Sequence, residues 1–228
     1  MPQLTYYGHD AFFIATSHSR LLIDPFITGN PLAPVGASEV QADYVLLTHA
    51  HGDHFGDGLE IAKRCKATII STFELASYCQ SQGAKVHPLH IGGGHDFDFG
   101  RVKLTIAHHG NSLDTDNGLL AMGPASGILV TADGKTLYHA GDTGLFYDMK
   151  LIGEMNSIDI ALLPIGDNFT MGVTDAVKAV ELLQPKTAVP MHFDTFDIIK
   201  ADPNDFVARV RANGGSAQVV KTGETIEY

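Results

Sequence analysis

Three histidines and one aspartate fall within six positions in the segment Thr48-His49-Ala50-His51-Gly52-Asp53-His54. Neutral imidazole and carboxylate are the donors that zinc and its first-row neighbours take. Four such side chains packed this densely would waste burial without a cation to hold them together. His49 and His51 stand at i and i+2, so in an extended segment they point the same way; Asp53 continues that series and His54 breaks it. One segment can therefore offer His49 and His51 to one metal ion, and Asp53 and His54 to a neighbouring one.

Such donors need elements that aim them. The run Tyr44-Val45-Leu46-Leu47 reads as a buried strand, and Gly52, Gly56 and Gly58 predict a tight loop at its end. Three other stretches repeat the arrangement: His109 follows a strand over 102–107, Asp142 one over 135–140, and His192 one over 187–191. Strands that end on a common edge make such residues converge. The expected constellation is His49, His51 and His109 on one ion, Asp53, His54 and His192 on a second, and Asp142 bridging. It leaves a position for a bridging water. Two cations about 3.5–4 Å apart lower the pKa of a shared water to about 7. The resulting hydroxide would attack a carbonyl or phosphorus while the ions stabilise the oxyanion. Asp53 would hold the second ion and could take a proton as general base. A looser set, His87, His90 and His95 around Gly92-Gly93-Gly94, reads as structural or as a support behind metal ligands.

Around these strands the chain alternates strands and helices. Strands are expected over 3–7, 11–16, 20–24, 43–47 and 67–70, with helices over 58–65 and 73–82. A hairpin over 95–99 and 101–107 follows, then a meander over 118–123, 127–132 and 135–140 turning at Asp133-Gly134. Helices over 146–154, 175–183 capped by Thr174, and 203–212 started by Asp202-Pro203 complete the second half, with strands at 158–163, 187–191, 217–220 and 224–227. The loop 26–42, rich in Gly, Pro and Ala, could cover a site. The two halves share a rhythm, which predicts one α/β domain over 1–228 with two mixed β-sheets packed face to face and helices outside.

Composition narrows the function. The formal charge of −11 over 228 residues argues against a nucleic-acid groove. Cys65 and Cys79 show no C-x-x-C spacing and read as buried free thiols in a reducing compartment. The stretch from Met1 to Phe13 has no basic n-region, and no run approaches a membrane span. A cytoplasmic protein acting on a small-molecule substrate is expected, with no membrane partner, nucleic acid disfavoured and homo-oligomerisation left open.

The order of motifs, His49-x-His51-x-Asp53-His54, a lone strand-end histidine, Gly141-Asp142 and then His192, resembles the metallo-β-lactamase-fold superfamily over essentially the whole chain. Gly8-His9-Asp10-Ala11-Phe12, Asp24-Pro25, the stretch from Tyr138 to Thr143 and that from Pro164 to Gly172 are similar to a bacterial and archaeal branch of metal-dependent hydrolases near the ascorbate-phosphate lactonases. The resemblance implies a four-layer αβ/βα sandwich and a dinuclear site, commonly zinc (Zn2+), sometimes Mn2+, Ni2+ or Fe. The family's third histidine could be His108 or His109; members usually show a small residue after that ligand, as Gly110 is here, which selects His109. His9 and Asp24 lie at strand-end turns that could approach the site. Asp167 and Asn168, in a loop over 166–172 expected to overhang it, could contact substrate or a ligand. The leading reading is hydrolysis of a small ester, lactone or phosphoester. The alternatives are a nuclease or phosphodiesterase acting on RNA and a non-catalytic metal-binding module. A di-iron redox role usually replaces the second histidine of the motif with Glu, and here His51 stands.

Overall fold

The computed structural model describes residues 1–228. Its first sheet is built from β1 (Gln3–Tyr6), β2 (Phe12–Ala15), β3 (Arg20–Ile23), β4 (Tyr44–Leu46), β5 (Thr68–Thr72) and β6 (Lys85–Leu89), interrupted by helices α1 (Gly52–Phe55), α2 (Gly58–Cys65) and α3 (Phe73–Ser81). The second half supplies β7 (Gly94–Phe97), β8 (Gly100–Ile106), β9 (Ser112–Thr115), β10 (Gly118–Ala121), β11 (Ser126–Ala132) and β12 (Lys135–His139). It continues with α4 (Met149–Met155), β13 (Ile160–Pro164), α5 (Val173–Leu183), β14 (Thr187–Met191), α6 (Pro203–Ala212) and β15 (Thr225–Glu227). One mixed sheet runs β15-β1-β2-β3-β4-β5-β6, the other β14-β13-β12-β11-β8-β7, and β9 and β10 form a separate two-stranded ribbon.

The layering follows from side-chain alternation. On β3, β4 and β5, Leu21, Ile23, Leu46 and Ile70 enter the core between the sheets. The intervening Leu22, Val45 and Ile69, with Leu47 just beyond β4, pack instead against Ile61 and Ala62 of α2 and Leu75 and Cys79 of α3. Both faces of these strands are therefore covered, which is why they read as near-continuous apolar runs. On the other side α5 and α6 bury Ala176, Val180, Leu183, Phe206 and Val210 in the larger core. Sheets face each other with helices outside, as expected.

The pairing makes the strand ends meet. β1 is antiparallel to β2 and β2 to β3, so β1, β3 and β4 run the same way. In the second sheet β8, β12, β13 and β14 likewise share one direction. The turns after β1, β3, β4, β8, β12 and β14 carry His9, Asp24, His49, His109, Asp142 and His192.

Three expectations are corrected and one strand is added. Residues 118–123 do not join the meander: β10 folds back on β9, and Pro124, which has no N–H for a ladder, separates it from β11. Residues 85–89 form an unanticipated strand at a sheet edge, where Pro88 is tolerated. Thr174 lies inside α5, whose cap position is Gly172, bridged to Gly166. Only Ala217 of the stretch 217–220 pairs, as a single bridge to Ala188.

Candidate metal centre

The chain leaves β4 extended through His51, whose φ of −60° and ψ of 148° place it at the start of α1. His49 and His51 thus alternate as expected. Asp53 does not continue their extended series: it and His54 lie in the first turn of a helix, where successive side chains diverge by about 100°. That divergence sends Asp53 to the half-exposed mouth and His54 fully inside. Across the seam, Ser126 donates to the Thr48 carbonyl from its backbone N (3.1 Å) and its hydroxyl (3.0 Å). Gly141, at φ +62°, lets the Asp142 turn lie against Thr48; a Cβ there would fall 2.7 Å from the Ser126 carbonyl oxygen.

Two groups of donors result. His51 Nδ1 is 3.0 Å from His49 Nε2 and 3.2 Å from His109 Nε2. His9, Asp53, His54 and His192 bring one donor atom each within 4.8 Å of one another. Asp142 touches both groups: Oδ1 lies 3.3 Å from His54 Nε2, and Oδ2 lies 3.4 Å from His109 Nε2 and 3.1 Å from His192 Nε2. Donors about 2.0–2.2 Å from a shared ion stand about 2.8–3.6 Å apart, so these spacings fit metal ligation. His54 Nε2, Asp142 Oδ1 and both ring nitrogens of His192 are buried with no hydrogen-bond partner. Buried polar atoms left unpaired are costly, and a cation at their convergence would supply what they lack.

A further set of groups holds the donors. Asp24, fully buried, accepts from the Thr48 backbone N (2.8 Å), from the Thr48 hydroxyl (2.5 Å) and from His54 Nδ1 (2.9 Å). With its proton committed to Asp24, the Thr48 hydroxyl accepts from His49 Nδ1 at 3.0 Å. One carboxylate thereby fixes the tautomers of two histidines and turns the Nε2 of each toward the cluster. His9 Nε2 donates to Asp53 Oδ2 (3.2 Å) when its Nδ1 accepts from Thr195 Oγ1 (2.9 Å). His139 bonds the Asp10 carbonyl through Nε2 (3.0 Å) and accepts from Gly141 N through Nδ1 (3.1 Å), tying the β1–β2 turn to the Asp142 turn.

The electrostatics carry the same signature. Burial opposes charge on His54, yet Asp142, Asp24 and Asp10 outweigh it and hold its pKa well above the ordinary value. Burial likewise opposes charge on His192, and Asp142 and Asp10 raise it to about 9. Burial would raise Asp142, but His54 and His192 hold it well below the usual carboxylate range. Burial, reinforced by the His54 charge, keeps His49 well below its ordinary value, and burial lowers His9 to about 4 against the opposing pull of Asp53. Asp142, His54 and His192 thus shift one another toward their charged forms, as groups gathered at one point do.

The structure brings together His49, His51, His109, Asp142, Asp53, His54 and His192, with His9 in contact and Asp24 behind them. His109, not His108, turns its ring to the cluster, 5.0 Å from the rings of His49 and His51; His108 stacks on Phe146. Asp167 and Asn168 form an exposed left-handed turn with no hydrogen bond to the cluster. His87 and His95 pair at 4.2 Å between ring centres against Phe97, without a third donor. Sequence reasoning missed Thr48, Asp10, His139 and Thr195. Thr48, Asp10 and His139 lie within the motifs the sequence singled out, and Thr195 carried no signal.

A family model for the beta-lactamase superfamily domain matches residues 3–192. A metal-dependent hydrolase of Geobacillus sp. strain WCH70 is 54% identical over 226 residues, 99% of each chain. The chain belongs to the metallo-β-lactamase superfamily, as a metal-dependent hydrolase. Igni18, a metallo hydrolase from the archaeon Ignicoccus hospitalis, superposes on this hydrolase with a TM-score of 0.90 at 39% identity, covering 100% of this chain and 99% of that one. An isothiocyanate hydrolase from Delia radicum gut bacteria has a TM-score of 0.77 at 21% identity over 99% and 98% of the two chains, and shares the fold. No helix of the hydrolase is long and apolar enough to cross a membrane.

Proposed function

We propose that the protein is a dinuclear hydrolase of small esters, lactones or phosphoesters. His49, His51 and His109 would hold one divalent cation, Asp53, His54 and His192 a second, and Asp142 would bridge them. The observation that carries this reading is Asp142, whose two oxygens reach His54 of one donor group and His109 of the other. When bound, a pair of zinc or manganese ions would supply Lewis acidity and a water acidified toward neutral pKa. Asp24 and Thr48 keep the histidine lone pairs aimed inward. Asp53, whose side chain is 30% exposed, stands at the mouth, where its carboxylate can accept a proton from incoming water. His9 orients that carboxylate through Oδ2.

A small-molecule substrate is favoured over RNA because the chain carries a formal net charge of −11, and phosphate backbones are held by Lys and Arg contacts. Two unbridged thiols support a reducing, cytoplasmic setting. The test is elemental analysis of purified protein beside a hydrolysis screen. About two ions per chain, with activity lost to a chelator and restored by metal, is expected. Asp142→Ala should lose both metal and activity while circular dichroism stays unchanged. Two ions retained in that variant would refute the bridging assignment.

A further inference from the structure

Two aromatic rings stand beside the donor cluster without being part of it. Phe26, in the turn after β3, and Phe196, in the turn after β14, lie 5.7 and 5.6 Å from the His9 ring and 6.2 Å from each other. His9 itself is buried and lies 4.1 Å from the His192 ring, so the aromatic pair flanks the cluster on its Asp53 side. Phe196 is 39% exposed, and Ile198, two residues on, is 60% exposed.

These rings sit on turns built to hold them. Gly56 presses on the Phe26 backbone so closely that a Cβ would fall 2.7 Å from the Phe26 Cα. Asp57 accepts from the backbone N of Ile27 and Thr28, and Asn30 donates to the Phe26 carbonyl. Phe196 follows Thr195, which is bonded to His9, and its carbonyl accepts from Ile199 N. A phenyl ring kept at the surface by a fixed turn forgoes the burial that normally stabilises it. Lys200, the nearest lysine along the chain, is paired with Asp197, and Asp53 and Asp194 add negative charge.

We propose that Phe26 and Phe196 form an apolar subsite for the hydrocarbon part of an uncharged substrate, so that the preferred substrate is a neutral apolar ester or lactone and not a phosphoester. This rests on the hydrolase reading above. The reaction breaks the acyl C–O bond, places the water oxygen on the acyl carbon, and puts one water proton on the leaving oxygen; the second is released when the acid ionises.

Straight-chain alkyl hydroxamic acids test the subsite without turnover, because one metal-binding head group carries tails of graded length. Calorimetry on the zinc-loaded protein should show affinity rising about fourfold per methylene while the tail is being buried. Phe196→Ala and Phe26→Ala should flatten that rise with zinc content unchanged, and a tail ending in carboxylate should lose it. In parallel, kcat/KM should be higher for neutral acyl esters than for a phosphodiester with the same leaving group. Affinity independent of tail length, a slope untouched by Phe196→Ala, or preference for the phosphodiester would overturn the subsite while leaving a metal-loaded hydrolase in place. Failure to take up zinc, or zinc without hydrolysis of any ester or phosphoester, would instead overturn the hydrolase reading and the substrate assignment built on it.

Discussion

Asp24→Asn is the sharpest probe of how the cluster is aimed. The two side chains have the same shape, so the change replaces one acceptor oxygen by an NH2 group and removes a charge. Every group facing Asp24 is a donor: Thr48 N at 2.8 Å, Thr48 Oγ1 at 2.5 Å and His54 Nδ1 at 2.9 Å. Whichever way the amide is turned, an N–H meets another donor. If it meets His54 Nδ1, that imidazole must move its proton to Nε2, the atom that faces Asp142. If it meets Thr48 N, a buried backbone donor is left unpaired. Hydrogen bonds to a charged acceptor contribute about 1.5–3 kcal/mol, and loss of such an outer partner typically weakens metal binding about 10–100-fold. That range equals about 1.4–2.7 kcal/mol, so the two figures agree. Thr48→Val separates the arms: it removes the hydroxyl that fixes His49 but leaves the Asp24–His54 bond, so it should weaken mainly the ion held by His49, His51 and His109. Titrating metal-free protein against a chromogenic chelator reads both affinities. Wild-type affinity for both ions in Asp24→Asn would refute the orienting role.

Two further changes test the scaffold. Gly56→Ala places a Cβ 2.5 Å from the Pro25 carbonyl at a φ of +38°, so the backbone must shift at a cost of about 1–3 kcal/mol. Thermal unfolding should then fall by about 2–4 °C per kcal/mol, and an unchanged midpoint would show that the turn relaxes freely. Asp159 accepts from Thr136 N (2.9 Å), Lys186 Nζ (2.7 Å) and Lys135 Nζ (3.2 Å). Burial opposes its ionisation, but Lys186, Thr136 and Lys135 prevail and lower its pKa. A carboxyl lowered by folding stabilises the native state above its unfolded pKa of about 3.9, and that stability is lost as pH falls through the folded value. Asp159→Asn should therefore be less stable than wild type near neutrality, with denaturant midpoints converging in acid; a gap that persists at low pH would contradict this.

The seven residues that converge were legible because each lies at or shortly after the end of an apolar run, where the sequence turns polar. Leu137-Tyr138-His139-Ala140-Gly141-Asp142 is such a run, and parallel pairing of β12 with β13 carries its end to the common edge. What lay out of reach depends on contacts between distant segments. Nothing local distinguishes Thr48 from any threonine at a strand end; its role exists only because the β3 turn brings Asp24 to it. Thr195 matters only because His9, 186 residues away, reaches it. His108 and His109 were separable only by analogy, and the structure separates them by the rotation of adjacent residues, one toward Phe146 and the other toward His51. The misplaced strands share a different cause. β6 and β10 are exposed or half-exposed, so burial imposes no alternation on them that a pattern could reveal.

One backbone feature links fold to site. His9, Asp24 and His192 have φ of +58°, +41° and +55°, in the left-handed region that disfavours side chains bearing a Cβ. Each follows a strand, so the chain reverses at the functional residue itself instead of in a loop beyond it. The reversal brings the side chain back over the strand end, where His192 N can donate to the His9 carbonyl (3.1 Å) and Tyr6 Oη can do the same (3.0 Å). Glycine would remove the strain at these positions and with it the donor. Strain of about 1–3 kcal/mol per residue persists only where the surroundings over-determine it. Here they do, through the paired strands below and the hydrogen bonds between the turns. The cluster is thus preorganised by the two sheets, and this is why a site assembled from residues 9 to 192 holds donor spacings of 3.0–3.4 Å.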